Sequence, residues 1–161
     1  MHWGPRQVGM VFAVVGIVLV IVQGALIGRI IKRFGEARAL FAGTIGIGIG
    51  LALLAAAREP VLGVAASCWL ALGMGLASPS TSALISKEAA ADEQGSILGV
   101  NQSVGSFARI TGPAVAGQAF ELAGPSAPYV VGALVMLISA CIAWQVVRQR
   151  HAPAAVSQAG A

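Results

Sequence analysis

The sequence predicts an all-α integral membrane protein built from five transmembrane helices, and three observations carry that prediction. Charged residues make up 10% of the chain and hydrophobic ones 57%, whereas soluble domains carry roughly 25% charged residues. Ten cations and six acids cannot form the polar skin that a soluble fold of 161 residues needs. The mean hydropathy of +0.85 excludes disorder through the body of the chain. Finally, the apolar residues gather into runs of about 20, the length at which a helix crosses a hydrocarbon core ~30 Å thick. These runs are apolar all round, so strands of alternating polarity do not fit them.

The expected spans are 8–28, 39–57, 60–86, 96–120 and 129–147, which make residues 1–147 one transmembrane bundle. Pro79 is expected to bend the last turns of the third span, and Arg109 is the one charge interrupting the fourth. The stretch Gly124-Pro125-Ser126-Ala127-Pro128 reads as a turn that no helix continues through. Residues 148–161 read as a cytoplasmic tail without order. The first nine residues run straight into a membrane-length segment, unlike a cleavable signal peptide, so the start reads as truncated.

Orientation follows from the cation count on each side, because cytoplasmic loops carry the excess of Lys and Arg. Arg29, Lys32, Arg33, Arg38, Lys87, Arg148 and Arg150 fall on one side, Arg6 and Arg58 on the other. The 29–38 loop, the 86–95 loop and the C-terminus are therefore expected inside, and the N-terminus outside. Trp3 and Tyr129 would anchor the outer boundary and Trp144 the inner one. The cations are scattered between apolar runs rather than forming a basic stripe, which argues against nucleic acid. Cys68 and Cys141 read as small buried hydrophobes. His2 and His151 stand at opposite ends, no phosphate-loop, zinc-hydrolase or nucleophile-elbow pattern occurs, and the reading assigns no cofactor, no metal and no enzymatic activity.

Helices in lipid associate through close backbone contact, which small residues four apart provide. Gly24 and Gly28, Gly46 and Gly50, and Gly95 and Gly99 have that spacing. The Gly46-Ile47-Gly48-Ile49-Gly50 stretch follows no strand and reads as packing rather than as a dinucleotide loop.

The fourth span differs in kind. At helical spacing Gln102, Ser106, Arg109 and Pro113 share one face, with Asn101, Gly105, Ala108 and Gly112 beside it. Arg109 lies roughly 20 Å along the helix from Ser96 at 1.5 Å per residue, and an Arg at a span centre costs about 2.5 to 3.5 kcal/mol on insertion scales. A water-filled cavity or a partner group is therefore expected. Two readings stay open: a cavity-lining cation that meets a substrate or a coupling carboxylate, and a structural clamp on a neighbouring helix. Glu36, Glu59, Glu88, Asp92, Glu93 and Glu121 all stand in loops or at span ends, so a buried carboxylate partner must come from other sequence.

Two stretches carry a resemblance. Gln23 to Glu36, with Gly28, Arg33, Gly35 and Arg38, is similar to the end of a helix and the G-x-x-x-D-[RK]-x-G-[RK]-[RK] loop after it, with Lys32 at the usual Asp position and Glu36 at a usual base. Asp92-Glu93-Gln94-Gly95, Asn101-Gln102-Ser103 and Gly112-Pro113 are the more specific signal. Together they resemble the C-terminal half of a major facilitator superfamily transporter in its drug-efflux-like branch. The resemblance implies helices eight to twelve of that fold, with Met1 in an outer loop and helix seven and the whole N-terminal half missing. It implies Gly105, Gly112, Pro113 and Gly117 as a tight packing face of the kind found in antiporters. It further implies a small-molecule substrate moved by alternating access, proton-coupled efflux, and a bacterial inner-membrane location. The partners would be the lipid bilayer and the missing half. The competing expectation is a non-transporting five-span scaffold or assembly partner.

Overall fold

In the computed structural model the described residues run from Gly4 to His151, with side chains described as far as Gln149. The expected anchor Trp3, the terminal His2 and the tail beyond His151 lie outside them, as does the side chain of Arg150. Five helices make up the described chain: α1 (Pro5–Phe34), α2 (Glu36–Ala56), α3 (Pro60–Glu88), α4 (Gln94–Ala123) and α5 (Ala127–His151). Pro5 and Pro60 open α1 and α3 at first-turn positions, where a missing N–H costs nothing and φ is already helical. A π-helical turn, Val22–Leu26, interrupts α1 without breaking it.

The connections are shorter than the apolar runs imply. Where a loop is expected over 29–38, α1 runs on to Phe34, a single residue intervenes, and α2 begins at Glu36. Arg29, Lys32 and Arg33 fall at i, i+3 and i+4, so they leave one face of a continuing helix rather than ending it. The reversal falls at Gly35, whose φ of +82° an L side chain rarely adopts. Gly124, with φ of +87°, makes the break between α4 and α5. Pro128 was expected in the turn but lies within the first turn of α5, where proline is tolerated.

Four helices, α1, α2, α3 and α5, are long and apolar enough to cross a membrane. The fourth expected span, α4, has the length at 30 residues but is diluted by its polar and small residues.

The tightest packing joins α2 to α3. A Cβ on Gly43 would lie 2.6 Å from the Ala77 nitrogen, one on Gly73 2.5 Å from the Ile47 nitrogen, and one on Gly50 2.9 Å from the Leu70 nitrogen. Gly46 faces Gly73 as well, so the Gly46 and Gly50 pair is a contact surface. The other two pairs are not: a Cβ at Gly24, Gly28, Gly95 or Gly99 would meet nothing within 4 Å. Four-residue spacing marks a smooth face, and contact then requires a second helix with an equally smooth face opposite. On its other side α2 meets α5, where Leu51 lies against Gly132 and the rings of Phe41 and Trp144 stand 5.1 Å apart. Helix α1 rests on α3 through Val22, its one buried residue, which fills the space over Gly75.

The buried residues are small, with Ala39, Ala66, Ala71 and Ser80 each at most 2% exposed, as expected where backbones approach closely in lipid. The outer surface is apolar: Phe12, Val61, Ile110 and Leu122 are each more than 70% exposed. Cys68 is half-buried and Cys141 is exposed, which corrects the expectation that both are buried. Cys141 lies on the outward side of α5, where an apolar environment outside the protein takes the place of a core.

A polar stripe on α4 and the charged end of the bundle

Helix α4 has no buried residue. One side packs on α5, leaving a crevice of about 330 Å³ lined by Ala108, Thr111, Gly112, Val115, Pro128 and Val131 among others. At 100° per residue, Gln102, Ser106 and Arg109 lie roughly a third of a turn away from that side. No described helix covers them: Gln102, Ser106 and Arg109 are exposed and Asn101 is half-buried.

The stripe is bonded along itself. Arg109 Nη2 donates to Ser106 Oγ at 3.0 Å, and Ser106 Oγ donates to the Gln102 carbonyl at 2.9 Å. Arg109 also lies over Gly105, whose missing Cβ would stand 3.6 Å from Nη1. Ser106 thus occupies part of one fork of a guanidinium that has five N–H donors. Pro113, inside the helix, brings no N–H to the Arg109 carbonyl one turn before it. The cationic fork thus lies about a turn before Arg109, over Gly105 and Ser106, and the carbonyl lacking its helical donor lies on the other side of it, toward Pro113. Gly112, Pro113 and Gly117 are exposed, with nothing within 4 Å of a Cβ at either glycine.

The second group of expected residues lies at the end where α1 passes into α2. Gly28 and Arg33 are on the last turns of α1, Gly35 makes the break, and Arg38 stands in the first turns of α2. The Arg33 guanidinium lies 5.4 Å from the centre of the Phe34 ring. Glu36 begins α2, where a carboxylate suits the positive helix end, and Lys87 stands in the last turn of α3, where a cation suits the negative end. Lys87 Nζ donates to Glu36 Oε1 at 2.5 Å and ties the two helices together. Beside this pair a cavity of about 720 Å³ opens between α2, α3, α4 and α5, lined by Leu40, Leu84, Glu88, Ile97, Val146 and Gln149 among others. Arg6 stands at the start of α1 and Arg58 just past the end of α2, away from the α1–α2 turn.

Sequence reasoning missed the Glu36–Lys87 pair, the π turn and Ser80, whose buried hydroxyl has no hydrogen-bond partner. Gly73, Ala77 and Ser80 recur at helical spacing, with Leu84 one turn on, and this run of small residues signals the α2-facing side of α3. Among the described residues no three His, Cys, Asp or Glu side chains gather as a metal site would require.

A family model described as Major Facilitator Superfamily matches residues 1–161. The chain is 30% identical over 140 residues to the class C tetracycline resistance protein of Escherichia coli, covering 85% of this chain and 35% of that protein. It is 28% identical to multidrug resistance protein 2 of Bacillus subtilis (strain 168), covering 83% of this chain and 33% of the relative. Against the class G tetracycline resistance protein of Vibrio anguillarum it is 30% identical over 70% of this chain and 28% of the other. The chain thus spans about a third of the length of the curated relatives it matches. No solved structure matches it.

Proposed function

This chain belongs to the Major Facilitator Superfamily, and from that premise we propose that it forms helices eight to twelve of a drug-efflux transporter. In this reading all five helices cross the membrane, α4 included, with the α1–α2 turn on the cytoplasmic side and the start of α1 outside. The observation that carries the proposal is the uncovered stripe of α4. A 30-residue helix with an Arg near its middle and no buried residue is costly in lipid, and stable where that face borders water or another helix. Alternating-access transporters place their substrate site near the bilayer midplane between repeats. Asn101, Gln102, Ser106 and Arg109 would form one wall of that site, and the first half of the transporter the other.

The end bearing Gly28, Arg33, Gly35 and Arg38 would act as the inner gate, with the Glu36–Lys87 pair holding α2 and α3 together while the gate moves. Gly105, Gly112, Pro113 and Gly117 would pack against a helix of the missing half. The relatives' names point to tetracyclines and other drugs as first candidate substrates, with a proton gradient as the energy source. The test is tetracycline accumulation in efflux-deficient cells carrying either the complete reading frame around this chain or the 161 residues alone. Reduced accumulation that a proton uncoupler reverses is expected for the complete frame only. Unchanged accumulation across a panel of structurally different drugs would favour a non-transporting scaffold.

A further inference from the structure

The last two turns of α1, Ile27–Phe34, are the most sharply amphipathic piece of the molecule, and the transport reading gives their outer face no ligand. Arg29, Lys32 and Arg33 fall at i, i+3 and i+4 and are all exposed, while Ile27, Ile30 and Ile31 on the opposite side are half-buried. Neighbours at that spacing on a helix have Cβ atoms about 5 to 6 Å apart, so three cations share one small patch. Among the described residues no acidic side chain pairs with any of the three. Glu36 is held by Lys87, and Glu88 is itself engaged.

The depth of the patch is set by helix length. The uncharged run of α1 ends at Gly28, and Arg29 is the first charge after it. A 30-residue helix is about 45 Å long at 1.5 Å per residue, some 15 Å more than the ~30 Å hydrocarbon core. The surplus places the final turns at the level of lipid phosphates.

We propose that Arg29, Lys32 and Arg33 form a docking surface for the phosphate of an anionic phospholipid. The guanidinium forks of Arg29 and Arg33 would take phosphate oxygens through paired N–H donors, and Lys32 would supply a point charge between them. A bound anion would also offset the repulsion among three cations that have no acidic partner among the described residues. The proposal rests on the membrane-embedded part of the functional reading and is independent of whether the chain transports anything.

The test uses the full 161-residue chain in nanodiscs of phosphatidylcholine doped with phosphatidylglycerol. Spin-labelled lipids report which headgroup is enriched in the motionally restricted shell. The wild type should enrich phosphatidylglycerol, and R29Q, K32Q and R33Q should each lower the preference by up to about fivefold, the scale set by one cation near an anionic surface. R6Q and R58Q at the far end should leave it unchanged. Raising salt to 1 M, where the screening length falls to about 3 Å, should erase the preference in the wild type itself and needs no variant to fold.

An unmodified chain with no headgroup preference, or a preference that survives 1 M salt, would overturn the proposal. So would an equal loss from R58Q and R33Q. If the patch is instead a contact for an acidic protein segment, the isolated chain shows no preference, which counts against the proposal and leaves the transporter reading standing. Failure of the chain to enter the bilayer would overturn the membrane-embedded reading on which the proposal rests, and the proposal with it.

Discussion

Gly43 of α2 lies so close to Ala77 of α3 that a Cβ added to it would sit 2.6 Å from the Ala77 nitrogen and 2.8 Å from the Gly73 carbonyl oxygen. Both obstacles are backbone, which cannot rotate aside as a side chain can. Gly43→Ala should therefore force the two helices apart and destabilise the chain by about 3 kcal/mol, the upper end of the overpacking range. Gly24→Ala and Gly28→Ala, at open positions of α1, should stay within about 0.5 kcal/mol of the parent. Thermal unfolding in detergent, followed by helical circular dichroism, separates the two sets.

Ser80 supplies a prediction of opposite sign. It is 0% exposed and its hydroxyl has no hydrogen-bond partner, so the parent protein carries the desolvation cost of an unmade bond, about 1 to 3 kcal/mol for such groups. Ser80→Ala removes that cost with little change in shape and should raise the melting temperature. A clear fall would show that the hydroxyl is bonded in the folded protein and that the α2–α3 interface is wetter than described.

The separation of charge along the bundle gives a topological prediction. In a background with Cys68 and Cys141 replaced by Ala, a cysteine at Asp92 should resist an impermeant thiol reagent in intact cells, and one at Ser126 should react. These positions stand at opposite ends of α4, so labelling at Asp92 with protection at Ser126 would invert the orientation and move the proposed inner gate outside.

The helices were legible in the sequence because four are announced by uncharged runs and α4 by a run broken only by Arg109, and the lack of an acid near Arg109 was legible because the acids all fall near helix ends. Helix ends were less so. The turn Ile27–Phe34 carries three cations yet remains helical, since charge ends a membrane span but does not end a helix. The Glu36–Lys87 pair joins residues 51 apart, and nothing local to either specifies the other. Equal spacing made Gly24 and Gly28 look like Gly46 and Gly50, and only the facing surface of α3 distinguishes them. For α4 the sequence gives the polar face, and the structure adds that no described helix covers it.

The central claim is that Arg109 faces the substrate path of a transporter, and the most direct measurement is drug efflux by the complete reading frame carrying Arg109→Ala or Arg109→Lys, alongside the amount of each protein in the membrane. A cavity-lining cation predicts that Arg109→Ala loses most of its transport while membrane insertion is kept or improved, since the cost of inserting a charge at the span centre disappears. Arg109→Lys should then retain part of the activity, because a point charge facing water still serves, whereas a forked contact in a structural clamp would tolerate Lys poorly. Near-normal efflux by Arg109→Ala at normal protein levels would contradict the claim.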